Sequence, residues 1–239
     1  MKQTADTDLT LNDLTRSHPV LIPFFANKGV DFFCGGDRSV KAVCAEKNWD
    51  LTQFMDEVAA CLDKTGEGPV PIWQTGSEAD LIGYILKRFH QGHRRDFQVL
   101  GTMMERVVKT HAKKWPLVHD LAKLVQELTD DIEPHMVKEE RVLFPMILRR
   151  LGIPTHGGNP CVNRPDGPIH VMRMEHENMG HLLESLAGIT NQFTPPEWAG
   201  PSLSGIFATL EWLNREIRLH VHLENNVLFP MVQALDWDD

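Results

Sequence analysis

The residues best equipped for chemistry occur as two matched sets. The segment HMVKEERVLFPM, from His135 to Met146, returns as HVHLENNVLFPM from His220 to Met231, with seven of twelve positions identical. His90 lies 45 residues before His135, and His176 lies 44 before His220, so the second half of the chain reads as two copies of a helix hairpin. Within each copy His and Glu are four residues apart. That is about 40° around a helix and about 6 Å along it, so both side chains share a face and could grip one ion together.

The surroundings of the two glutamates argue against ordinary surface pairs. Glu139 has Met136, Val142, Leu143 and Met146 as helical neighbours, and Glu224 has Val221, Val227, Leu228 and Met231, with no Lys or Arg among them. A carboxylate turned unpaired into an apolar core costs several kcal/mol, which a cation would offset. His90 and His176 also sit on apolar stripes, with Leu86 and Phe97 near the first and Met172, Met179 and Leu183 near the second. A lone His in that setting is ordinarily a hydrogen-bonded core residue; the duplication tips the balance toward metal ligation. Four imidazoles and two carboxylates are too many for one ion. Two ions fit better, each with two His, with Glu139 and Glu224 bridging and positions left for a solvent-derived bridge and an incoming small molecule. Nitrogen and oxygen ligands without thiolate suit iron, with manganese as competitor, while zinc favours closed tetrahedral sites or three ligands plus water.

Four amphipathic helices must position these groups. Ser77 with Asp80 is the cap of a helix over 78–110, followed by helices over 116–149, 168–190, with Pro168 in its first turn, and 202–235, a pattern with no strand alternation. The fold class is therefore all-α, an antiparallel four-helix bundle. Residues 1–66 read as a small helical domain of short elements separated by turns, with Asp50 and Gln53 forming a helix start. The Gly- and Pro-rich stretch Thr65–Gly76 is the expected boundary, with the bundle over 77–239.

Composition narrows the function. Among 239 residues, Lys and Arg number 24 against 33 Asp and Glu, a net charge of −9 with the twelve His neutral, which disfavours a nucleic-acid or anionic-membrane partner. The longest apolar run, Val20–Ala26, is broken by Pro23, and no secretory leader is expected from the polar start of the chain. Cys34, Cys44, Cys61 and Cys161 match neither a zinc ribbon nor a disulfide framework and read as reduced thiols of a cytoplasmic protein. Cys44 and Cys61 suit core positions, whereas backbone N–H groups around Cys34 could favour a thiolate. Of the other histidines, His93 is one turn beyond His90 and is either an auxiliary group near the metals or a surface residue flanked by Arg94 and Arg95. His222 faces away from His220, and His181 is off the face of His176. Asp131 and Glu175 could line an ion path, with solvated helix charges the preferred reading.

These segments resemble the Repair of Iron Centers family, di-iron proteins with a hemerythrin-like bundle. HMVKEERVLFPM and HVHLENNVLFPM are similar to its two iron-binding helices, and Asp31-Phe32-Phe33-Cys34-Gly35-Gly36 resembles the Cys-Gly-Gly turn of its small N-terminal domain. The family often has two adjacent Cys before the Gly pair; here Phe33 takes the first position, which leaves no vicinal thiol pair. The resemblance implies His90, His135, Glu139, His176, His220 and Glu224 as ligands, the six that spacing selects. It implies two iron ions with an oxo or hydroxo bridge, and a role in repairing iron–sulfur clusters damaged by nitrosative or oxidative stress. The partners so implied are damaged iron–sulfur proteins and small ligands such as O2, NO or peroxide, and a homodimer is compatible with all of this. Two other functions remain open: a sensor or store that binds O2 or NO reversibly, and a non-haem di-iron oxidoreductase that reduces nitric oxide or peroxide.

Overall fold

A computed structural model describes residues 9–65, 76–155 and 164–237. Four short helices come first: α1 (Leu11–Ser17), α2 (Leu21–Asn27), α3 (Val40–Lys47) and α4 (Leu51–Thr65). Local chemistry sets their starts. Thr10 and Asp13 form a capping box on α1, Ser39 caps α3, and Asp50 accepts from the Gln53 N–H at 2.8 Å at the head of α4. Gly29, after α2, takes the left-handed φ of +63° that ends a helix at little cost. The expected boundary over Thr65–Gly76 lies, except at its ends, outside the described residues.

The bundle follows. Helix α5 spans 78–111, α6 spans 118–150, α7 is Asp166–Ile189 and α8 spans 201–233. Ser77 and Asp80 form the expected box on α5. Helix α7 starts two residues earlier than Pro168 suggests, so the proline sits third in the helix, where its missing N–H costs no helical bond. Helix α6 packs against α5 and α7, and α8 packs against α5 and α7, closing the ring. Among the described residues no strand forms; the single bridge pairs Thr10 with Ser39.

Three of the four bundle helices are not the uniform α-helices that the periodicity predicts. Each contains one π turn: Leu86–His90 in α5, Glu139–Leu143 in α6 and Glu224–Leu228 in α8. Two have a visible cause. Pro145 and Pro230 lack the N–H an α-helix would use and crowd the carbonyl four residues back. The residue before each proline widens its reach, Phe144 N–H bonding to Glu139 O and Phe229 N–H to Glu224 O. Each π turn has a candidate ligand at one end: His90 closes the first, and Glu139 and Glu224 open the others.

The apolar interior forms two clusters. The larger runs from Leu11, Phe25 and Phe54 of the N-terminal helices into Leu100, Leu121, Phe207 and Ile217 of the bundle. The smaller gathers Ile82, Phe89, Phe144, Ile147, Met172 and Phe229 at the other end. Leu100→Ala, which empties a fully buried position, is expected to destabilise the protein by about 2–5 kcal/mol. Ser77→Ala, which removes only a cap, should cost about 1 kcal/mol. Urea unfolding of both variants checks the order; an equal loss would mean that the core around Leu100 closes over the gap.

Candidate metal centre

All six sequence-selected residues meet in the layer between the two apolar clusters, and all are buried. Their ligand-capable atoms fall into two groups of four, His90, Glu139, His220 and Glu224, and His135, Glu139, His176 and Glu224, with every atom of a group within 4.8 Å of the others. The glutamates thus belong to both groups and the histidines divide two and two, one from each hairpin.

The outer nitrogen of three imidazoles is held by an acceptor on the next helix in the chain. His90 Nδ1 donates to Glu140 Oε1 at 2.8 Å, His135 Nδ1 to Glu175 Oε2 at 2.9 Å, and His176 Nδ1 to Asn225 Oδ1 at 2.9 Å. Asn225 leaves no choice of tautomer, because its Nδ2 donates to the Phe33 carbonyl at 3.3 Å and only its oxygen is left for His176. With the proton on Nδ1, each Nε2 presents a lone pair to the interior, the arrangement that ligating histidines share. Arg94 donates to Glu140 at 2.7 Å, and Lys138 pairs with Glu175, so both acid anchors are themselves held. Aromatic rings fix the planes: Phe89 stacks on His220 at 5.0 Å, Phe144 on His90 at 5.7 Å and Phe229 on His176 at 6.0 Å.

Inside this frame several polar atoms lack partners of their own, although His220 Nε2 and Glu224 Oε1 are hydrogen-bonded at 2.9 Å. Among the described residues, His90 Nε2, both oxygens of Glu139 and Glu224 Oε2 have no hydrogen-bond partner although fully buried. His135 Nε2 and His176 Nε2 stand 3.1 Å apart, and with both protons outside, two lone pairs face each other. Cations relieve every one of these conflicts. Ligand atoms about 2.1 Å from one ion and at right angles lie about 3 Å apart. The spacings found are 3.1 Å for that pair, 3.1 Å from His176 Nε2 to Glu224, 2.9 Å from His220 to Glu224, and 3.3 and 3.5 Å from His90 and His135 to Glu139. The residues therefore fit a pair of ions, and their all-nitrogen-and-oxygen chemistry fits iron or manganese.

The electrostatics agree. Burial, then the neighbouring Glu224, holds the Glu139 carboxyl well above the carboxylate range. Burial opposes charge on Glu224 as well, but His220 and His176 outweigh it and hold that carboxyl well below the range. Burial is the first cause that lowers His90 and His135 to about 4.

Several side chains differ from expectation. His93 is not at the surface: it is 2 % exposed, its Nε2 lacks a partner, and its ring lies 5.3 Å from that of His220, though outside both groups of four. Glu175 is an anchor for His135, which draws its carboxyl down to about 2, and not a free helix charge. His222 does face away, toward the Phe32 carbonyl. The turn does not favour a thiolate at Cys34: the Cys34 N–H is taken by Asp31, and burial with the Asp31 charge pushes the thiol up to about 12. Cys44 is buried and Cys61 packs against the core as expected, while Cys161 lies outside the described residues. The anchors Glu140 and Asn225 were missed, although each is adjacent in sequence to a selected glutamate.

The ion-free protein should lose stability as acid rises. His90, His135 and His222 stay neutral in the fold down to about 4, while the unfolded chain protonates below about 6.5, so between these limits the unfolded state binds more protons. Glu175, depressed in the fold, adds a loss of the same sign as pH falls from its ordinary value toward about 2. Glu139, raised in the fold, binds a proton in this window that the unfolded carboxylate lacks and so opposes the trend. The three imidazoles outnumber it, and urea midpoints should still drop from about pH 7 to about pH 4; a flat profile there would contradict buried neutral imidazoles.

Comparison with known proteins places the chain in a wider group. The Hemerythrin HHE cation binding domain matches residues 81–232. The chain is 32% identical over 225 residues to the iron-sulfur cluster repair protein YtfE of Pectobacterium atrosepticum, covering 93% of this chain and 96% of that protein. It is 32% identical over 228 residues to the protein of the same name from Escherichia coli O1:K1, covering 95% and 97%.

Proposed function

We propose, from the premise that this chain belongs to the hemerythrin HHE cation binding family and, within it, to the Repair of Iron Centers proteins, that it is a di-iron protein serving the repair of damaged iron–sulfur clusters. The observation that carries the reading is the buried layer of opposed lone pairs and unpartnered carboxylate oxygens, which two ions would neutralise. His90 and His220 would hold one ion, His135 and His176 the other, with Glu139 and Glu224 shared. Residues 1–66 and 77–239 act as two units of this protein, the first seated on the second through its Cys-Gly-Gly turn.

Bound irons would supply redox-active Lewis acids with positions open to O2, NO or peroxide, or an ion available for donation to an apo iron–sulfur protein. The chain's own residues do the rest. Glu140, Glu175 and Asn225 hold the proton on the outer nitrogen of three imidazoles, so that each inner nitrogen is turned toward the ions as a ligand. Phe89, Phe144 and Phe229 exclude water from the layer and prevent the rings from turning. Free thiols at Cys34, Cys44 and Cys61 suit a reducing compartment, the cytoplasm. No helix among the described residues is long and apolar enough to cross a membrane.

Metal analysis and visible absorption of anaerobically purified protein are expected to give roughly two irons per chain, with marked loss in His135→Ala and Glu224→Ala. Iron near two per chain in both variants would overturn the assignment. Transfer of iron to an apo iron–sulfur protein supports repair. Many turnovers of nitric oxide or peroxide with an added electron donor would instead make the protein an oxidoreductase, and reversible ligand binding without metal loss would make it a sensor or store.

A further inference from the structure

Of the three anchors on the outer imidazole nitrogens, two end in cations of the bundle itself, at Arg94 and Lys138. The third leaves the bundle. His176 Nδ1 donates to Asn225 Oδ1 at 2.9 Å, and Asn225 Nδ2 donates to the Phe33 carbonyl at 3.3 Å, so two hydrogen bonds join a candidate ligand to the backbone of the N-terminal turn. We infer that Asn225 is a positioning residue that couples the seating of the 32–36 turn to the orientation of His176, so that retention of the ions depends on the N-terminal helices being docked.

The turn is held in register with that contact from several sides. Asn226 Nδ2 lies 2.9 Å from His222 Nδ1 and reaches the Phe32 and Phe33 carbonyls at 3.2 and 3.3 Å, so it ties the turn to α8 without touching His176. Gly36 fits because it has no side chain: a Cβ there would stand 2.9 Å from the Phe32 carbonyl oxygen and 3.2 Å from the Asn226 amide. The Phe33 ring lies under the Arg218 guanidinium at 4.3 Å and against Gly180, where a Cβ would be 3.3 Å away. Gly180 is one helical turn beyond His176, and Arg218 is two residues before His220. The turn thus presses on both helices of the second hairpin beside their candidate ligands. A shift of the turn by the length of a hydrogen bond would free the Asn225 amide to rotate and leave the His176 proton without its acceptor.

This inference rests on the di-iron reading, and a double-mutant cycle separates the two. Iron-loaded full-length protein is mixed with excess chelator, and iron loss is followed by visible absorption, with circular dichroism showing that the helices persist. Asn225→Ala should release iron about 10-fold faster, the usual effect of removing an outer partner of a ligand. Asn226→Ala, which loosens the turn without touching His176, should speed release and shift the absorption of the otherwise unaltered protein, yet add nothing in the Asn225→Ala background. If Asn226→Ala does not fold, Gly36→Ala takes its place. Factors that multiply in the double variant, or an Asn225→Ala protein that behaves as the parent, overturn the coupling and leave the di-iron reading intact. A parent protein that takes up no iron overturns both.

Discussion

The whole architecture depends on six ionisable side chains confined in one buried layer. An apolar interior tolerates a carboxylate only when something neutralises or hydrogen-bonds it, and Glu139 finds no hydrogen-bond partner among the described residues. The layer also holds two facing imidazole nitrogens that repel unless a positive centre stands between them. Neither feature would be stable for its own sake. Both become favourable when cations are bound, so the energy of the fold and the capacity for chemistry share one source.

The surrounding protein is organised to keep those groups aimed. Each anchor is the sequence neighbour of a candidate ligand on its own helix: Glu140 follows Glu139, Glu175 precedes His176 and Asn225 follows Glu224. One residue is about 100° of helix, which turns the anchor from the centre of the bundle toward the adjoining helix. Each therefore bonds the imidazole of the preceding helix, α6 holding α5, α7 holding α6 and α8 holding α7. The π turns belong to the same layer. By adding a residue to one turn, they let a helix cross a proline without breaking and keep Glu139 and Glu224 on the inner face.

Much of this was legible in the sequence. The repeated His-x-x-x-Glu pairs, with apolar neighbours and matched upstream histidines, were enough to select the six residues, because a four-residue spacing maps directly to a shared helix face. The four bundle helices followed from the same periodicity, and Ser77 and Asp80 marked a start correctly. The π turns were not seen, although Pro145 and Pro230 inside helical patterns were a signal that the hydrogen-bond ladder must change there. His93 was weighed against its charged neighbours Arg94 and Arg95, which point elsewhere while the ring turns inward. The anchors depend on contacts between residues 40 to 50 positions apart in sequence, and no local pattern encodes such pairings.

The polar layer has a mechanical consequence for the molecule. It splits the interior into a large body, shared by the N-terminal helices and one end of the bundle, and a small cap at the other end of the bundle. Within the layer the facing His135 and His176 nitrogens and the unpartnered Glu139 oxygens are in conflict when no ion is bound, while the outer anchors and the stacked rings hold its rim. Bound metal would act as the rivet between two blocks of unequal size. Stripped of ions, the cap becomes the segment whose amides exchange with solvent first, a local opening at the end of the bundle that gives the interior its nearest route to the outside.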